Sequence, residues 1–305
     1  MTILTVLIKQ VFIMFVLMGI GFFAYKRGLI SDEGSRDIGK ILLNVAIPVV
    51  VISNFCIEKT AEKTVQFLQS MLLCLICMIL SIVMAYLFYH KRDRIAEFSA
   101  AFSNAGFIGI PLVQATFGNE AVFFISVMIV LVSSLQWTFG VYTMTDDRSV
   151  MDLRKIISNP IVISVIIGVL IYASGVKMPL IVRDIFSLIS AINTPLAMFV
   201  SGVYLAQSDL LKIMKQKDPY LVSLARLIVI PLVTVLVFRL IPFGSRQMKL
   251  AILLAAACPV GSNVAIFAQQ YGKDYRKGVE YVCISTILSI LSLPLLVMIA
   301  QFVLG

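Results

Sequence analysis

Charge is what this chain has least of. Asp, Glu, Lys and Arg make up only 13% of its 305 residues, about half the share found in a soluble domain of average composition. With 60% hydrophobic residues and a mean hydropathy of +1.01, the chain has too few polar groups to cover its own surface. That excludes a cytosolic enzyme, a disordered chain and a disulfide-rich secreted scaffold. Histidine is nearly absent as well. His90, the sole one, ends an apolar run beside Lys91-Arg92 and reads as an interfacial residue. It leaves no Ser–His pair for an intramembrane serine protease, and no paired intramembrane aspartates occur. The five cysteines are an odd count without zinc-ligand spacing, and Cys74-Leu-Ile-Cys77 lies inside an apolar run. They read as small buried hydrophobes. The net charge of +9 is scattered singly between apolar runs, with no basic arm or aromatic-interleaved patch to follow a phosphate backbone. No catalytic residue, cofactor, metal or nucleic-acid partner is expected.

What the chain does have is long apolar runs. A membrane span needs about 20 mostly apolar residues, and such runs fall at 3–25, 38–57, 66–89, 97–118, 121–143, 157–176, 184–207, 219–241, 248–271 and 280–303. Ten spans are therefore expected, the eighth interrupted by Arg226. The connections after spans 1, 3, 5, 7 and 9 carry sixteen Lys and Arg, against eight on the opposite side. The positive-inside rule makes the odd-numbered loops cytoplasmic, with both termini outside. The segment before Lys26-Arg27 is too long for the apolar core of a signal peptide and is expected to stay as a helix.

The two halves resemble each other. Gly21-Phe-Phe-Ala-Tyr25-Lys-Arg-Gly28 aligns with Gly168-Val-Leu-Ile-Tyr172-Ala-Ser-Gly175 at an offset of 147, which also places Pro48 on Pro195. Phe117-Gly118-Asn119-Glu120 aligns with Tyr271-Gly272-Lys273-Asp274 at an offset of 154. An insertion in the loop between spans 7 and 8 reconciles the two. Five helices per half is an odd number, so the second copy must enter from the other face, as in the inverted repeats of secondary transporters. The expected organisation is a first repeat over 1–143, a linker over 144–156 and a second repeat over 157–305.

Spans 4 and 9 stand apart. One reads Ser103-Asn104-Ala105-Gly106-Phe107-Ile108-Gly109-Ile110-Pro111, the other Cys258-Pro259-Val260-Gly261-Ser262-Asn263. Proline removes a backbone donor and clashes with the preceding turn, and glycine costs about 1 kcal/mol against alanine in a helix. Unwound backbone is tolerated in a bilayer only where it lines a cavity or is buried in protein. A break at the same place in both halves points to a substrate site near the midplane. Asn104, Gly106, Gly109, Pro111, Pro259, Gly261, Ser262 and Asn263 are the candidate binding residues. Two half-helix N-termini with amide donors suit an anion, and neither broken span holds an acid in its core, which argues against cation transport. Asn44 with Pro48, and Asn193 with Pro195, give spans 2 and 7 similar polar kinks that line the cavity or flex the helices. Arg226, about 10 Å deep, either attracts the anion, or snorkels to the interface or binds backbone carbonyls.

These motifs in this order are similar to the auxin efflux carrier family. The resemblance runs through Asn104 to Pro111 with Phe117-Gly118, Leu196-Ala-Met-Phe199-Val-Ser-Gly202, Arg226-x4-Pro231, Pro259-Val-Gly261 and Ile266-Phe267-Ala268. It implies an all-α elevator transporter with a sodium/proton-antiporter-like architecture. Spans 1, 2, 6 and 7 would form the scaffold, and spans 3–5 and 8–10 the moving domain. It also implies contact between Asn104 and a substrate carboxylate, and bacterial members include proposed malonate and malate carriers. The chain lacks the long cytoplasmic loop of plant members, joining spans 5 and 6 by only Thr145–Lys155. That argues against phosphorylation-based control and against auxin as substrate. The second crossover also has Ser262-Asn263 in place of the plant-type proline. The expectation is a plasma-membrane permease for a small mono- or dicarboxylate. Its partners are substrate, lipid and, compatible with an elevator scaffold, a second copy of the chain. The rivals are a sodium-coupled organic-anion symporter of the bile-acid type, an intramembrane enzyme and a ligand sensor on a transporter scaffold.

Overall fold

The structure, a computed structural model, describes residues 3–90, 92–146, 154 and 157–304. Lys91, Arg148 and Lys155, which enter the orientation count, and most of the expected linker at 144–156 lie outside the described residues. In chain order the helices are α1 (Ile3–Lys26), α2 (Asp32–Phe55), α3 (Ala61–Tyr89), α4 (Arg94–Ala101), α5 (Ala105–Phe117) and α6 (Asn119–Thr145). They continue with α7 (Pro160–Ser174), α8 (Leu180–Ala206), α9 (Asp218–Leu240), α10 (Arg246–Ala256), α11 (Asn263–Gln270) and α12 (Tyr275–Val303), with a single turn at Leu210–Ile213 between α8 and α9. Side chains set the starts. Ser31, Thr60, Asp93 and Ser245 each accept a backbone N–H from the first turn they precede, filling donors that a helix end leaves open.

Among the described residues, seven helices are long and apolar enough to cross a membrane: α1, α2, α3, α6, α8, α9 and α12. The expected fourth and ninth spans are each split, into α4–α5 and α10–α11, and the expected sixth is the 15-residue α7. Long helices leave large apolar side chains outward, such as Phe12, Leu87, Leu188 and Leu236. An outer surface of that kind belongs in hydrocarbon rather than water. The first part of each split span is the most buried. Every residue of α4 from Ile95 to Ala101 and of α10 from Met248 to Ala256 is buried.

Proline acts differently from the sequence expectation. At Pro111 the helix is not broken: α5 runs through it, and the break comes earlier, at Phe102–Asn104. The turn before the proline widens instead to a π-type turn at Ala105–Gly109, where the Ile110 N–H reaches back five residues to the Ala105 carbonyl. The same device precedes Pro48, with Ile47 bonded to Leu42, and Pro231, with Ile230 bonded to Ala225. The wider turn moves the carbonyl with which the proline ring would clash. A fourth π-type turn, Gln136–Gly140 in α6, has no proline after it; a Cβ added at Gly140 would lie 2.5 Å from the Phe98 ring. α1 and α8 pack closest of all, with a Cβ on Gly202 falling 2.0 Å from the Met18 carbonyl oxygen.

Candidate functional site

The two breaks face each other and form one crossing. Ser103 and Val260 make an isolated antiparallel bridge. The Asn104 N–H donates to the Pro259 carbonyl at 2.8 Å, and the Gly261 N–H donates to the Phe102 carbonyl at 3.1 Å. Ser285 of α12 completes the set by accepting the Val260 N–H at 3.0 Å. Unwound backbone at this depth must find partners within the protein, and here each break supplies them for the other. Gly261 permits the approach, since a Cβ there would stand 3.2 Å from the Ser103 carbonyl oxygen.

Arg226 accounts for three more carbonyls beside the crossing. It is 1% exposed and sits in the π-type turn before Pro231. Its Nη1 donates to the Ala100 and Ala101 carbonyls at 2.9 and 3.2 Å, and its Nε to the Cys258 carbonyl at 3.2 Å. One guanidinium thus caps the C-terminal ends of α4 and α10 together. The carbonyl-binding alternative is the one its geometry follows. Arg226 lines neither cavity described below.

On one side of the crossing lies a cavity of about 260 Å³. The sequence-predicted residues Asn44, Asn104, Gly106, Gly261, Ser262 and Asn263 all line it. Three helices begin at its wall: α5 at Asn104, α11 at Ser262 and α7 at Asn159. Each N-terminus carries a partial positive charge of about one half. None of the lining residues is charged. Polar lining is instead amide and hydroxyl. The Asn104 Oδ1 accepts the Phe107 N–H at 3.4 Å. Asn263 donates to the Gln136 Oε1 at 2.9 Å, and Asn44 to the Lys40 carbonyl at 2.8 Å.

The other predicted residues are placed elsewhere. Gly109 packs on α10, where a Cβ would meet Ala255 and Cys258 at 3.5 Å. Pro259 contributes its carbonyl to the crossing. Asn193 is 1% exposed in α8, lines neither cavity, and has no hydrogen-bond partner at either amide atom. Pro111 lines a second cavity, of about 610 Å³, with Asn54, Gln114, Arg183 and Ser190. Phe107 on the first cavity and Pro111 on the second are four residues apart on α5, about 6 Å of helix rise. Along α5 the two cavities are lined by residues about one helical turn apart.

Sequence reasoning missed Ser133, Gln136, Trp137 and Asn159, all on the smaller cavity. Asn159 caps α7 through the Ile161 N–H at 2.9 Å and donates to Ser133 at 2.8 Å. A signal was present: Ser133-Ser134-Leu135-Gln136-Trp137-Thr138 is a polar stretch inside the fifth apolar run. Three of the π-type turns, in α2, α5 and α6, supply lining residues here. Widened turns of this kind gather at functional sites.

Residues 6–297 match the family described as Membrane transport protein. The chain is 23% identical over 316 residues to "Uncharacterized transporter YfdV" of Escherichia coli (strain K12), covering 98% of this chain and 99% of that protein. It is 25% identical over 293 residues to an "Uncharacterized transporter" of Methanothermobacter thermautotrophicus, covering 92% and 94%. It is 24% identical over 230 residues to the "Putative malonate transporter" of Rhizobium meliloti (strain 1021), covering 70% of each chain.

Proposed function

The chain belongs to this family of membrane transport proteins, the auxin efflux carrier family, and from that premise we propose a permease for a small organic anion. The substrate class is a mono- or dicarboxylate such as malonate or malate, carried by alternating access at the crossing rather than transformed by catalysis. One observation carries the proposal: three helix N-termini and an amide-rich lining converge on a cavity with no charged side chain. Partial positive charge and N–H donors stabilise a carboxylate. A cation carrier would instead need an acid in the lining. The name of the Rhizobium meliloti relative supports the same class.

In this reading the chain forms ten spans as two inverted repeats, over 1–143 and 157–305, joined by the linker at 144–156. It resides in the cell membrane with both termini outside. α1, α2, α7 and α8 form the scaffold, and α3–α6 with α9–α12 the moving domain. Two cavities that meet α5 one turn apart are what a site opened alternately to each face requires.

The test is uptake of labelled malonate and malate into proteoliposomes, with and without sodium. Saturable uptake independent of sodium is expected. Uptake that needs sodium would identify the symporter of the bile-acid type. Uptake of organic cations alone would overturn the anion reading.

A further inference from the structure

We infer that Arg226 gives the crossing its net positive charge, so that ligand affinity in the smaller cavity scales with the ligand's negative charge although Arg226 touches no ligand. The inference rests on the organic-anion reading above and assigns what sets its charge preference.

The crossing joins four helix ends. α5 and α11 present N-termini to the cavity, while α4 and α10 end behind it. Each N-terminus carries about +0.5 of an elementary charge and each C-terminus about −0.5. Left alone, the four ends sum to zero, and their fields largely cancel in a cavity close to all of them. The Arg226 guanidinium is bonded to the Ala100, Ala101 and Cys258 carbonyls, the exposed negative ends of α4 and α10. Its full positive charge matches the two half-charges it caps. The two positive ends facing the cavity are then unopposed.

Two further observations make the charge effective. No ion pair among the described residues includes Arg226, and the titratable groups acting on it are the thiols of Cys77 and Cys258. Its charge is therefore not cancelled by an acid. It is also close. From the Ala101 carbonyl to Asn104 on the cavity wall is three residues of largely extended chain, about 10 Å. At that distance in protein interior, a fixed unit charge changes binding of a monoanion by about tenfold, and the effect compounds for each further ligand charge. A lysine at 226 would keep the charge and lose the fork that bonds three carbonyls.

The test uses ligands of one skeleton and different charge: malonate, monomethyl malonate and dimethyl malonate. Dissociation constants are measured by calorimetry on purified full-length protein in lipid nanodiscs. In Arg226→Met, monomethyl malonate should weaken about tenfold, malonate about a hundredfold, and dimethyl malonate little. Arg226→Lys should keep the wild-type ratio between the two anions even if both weaken. Cys258→Asp leaves Arg226 in place and sets a carboxylate beside it; it should reproduce the charge-dependent loss, and it carries the test if Arg226→Met does not fold. Equal losses for all ligands in Arg226→Met, or an unchanged ratio in Cys258→Asp, would overturn the inference and leave the anion reading standing. Failure of wild-type protein to bind any carboxylate would overturn both.

Discussion

The backbone N–H of Asn104 donates to the carbonyl of Pro259 at 2.8 Å, so each broken helix fixes the direction of the other. That bond orients the first turn of α5, and with it the Asn104 side chain on the cavity wall. A residue in the second half of the chain thereby positions a cavity-lining amide in the first half.

Asn104 is the first residue to change. Its oxygen is engaged with the Phe107 N–H at 3.4 Å, which leaves the amide hydrogens for a ligand. Asn104→Ala should weaken carboxylate binding several-fold and remove a helix cap worth about 1 kcal/mol. Asn104→Asp keeps the cap but sets a negative charge at the site, and should abolish anion binding while the protein remains folded. Calorimetry beside thermal unfolding separates the two effects. Wild-type affinity in Asn104→Ala would remove this residue from the site.

Gln136 tests the residues that sequence reasoning missed. Its Oε1 accepts from Asn263 at 2.9 Å inside the cavity, so Gln136 holds the second crossing amide in place. Gln136→Glu preserves that acceptor and adds a charge, and should cut malonate affinity by about tenfold or more. Gln136→Leu frees Asn263 to rotate and should cost only a few-fold. Equal affinities in the two variants would place charge outside what governs this site.

How far the sequence reaches is visible in these residues. The apolar runs, the split of spans 4 and 9, and six of the cavity's lining residues could be read from composition and Gly/Pro clustering, because those signals are local. The antiparallel pairing of Ser103 with Val260 could not; it joins positions far apart in the chain with no spacing rule between them. Pro111 misled for a physical reason. Proline signals a lost donor, but a π-type turn absorbs that loss without ending the helix. Gln136 escaped notice because its signal is a polar patch rather than a breaker. Arg226 left anion attraction, snorkelling and carbonyl binding open, since its partners are backbone carbonyls, which every residue carries.

Gly202 governs stability rather than binding. A Cβ there would lie 2.0 Å from the Met18 carbonyl oxygen and 2.8 Å from the Phe22 nitrogen, both backbone atoms that cannot rotate aside. Gly202→Ala should therefore force α1 and α8 apart and lower stability by about 1–3 kcal/mol. Gly19 on the facing helix α1 has open space around its Cβ position. Gly19→Ala should be neutral or stabilising by up to about 1 kcal/mol through helix propensity. Thermal unfolding of both variants in the same detergent compares them directly. Equal midpoints would show that α1 and α8 do not depend on that close approach.

Asn193 lies in the same helix, nine residues before Gly202. It is 1% exposed in α8, and neither its amide nitrogen nor its oxygen has a partner; the Ser190 hydroxyl one turn earlier is also unpartnered. Burying such groups unpaired costs about 1–3 kcal/mol each. In the proposed alternating-access cycle, motion that lets water or substrate reach the amide would lower this cost. Asn193→Leu removes that cost from this conformation alone. The variant should unfold at a higher temperature than wild type and transport more slowly, because the conformation that benefits no longer yields as readily to the other. Stopped-flow uptake and thermal unfolding on the same preparation provide the two readings. A variant that gains stability without losing rate would show that Asn193 stays buried throughout the transport cycle, and the strain it carries would then have no part in the motion.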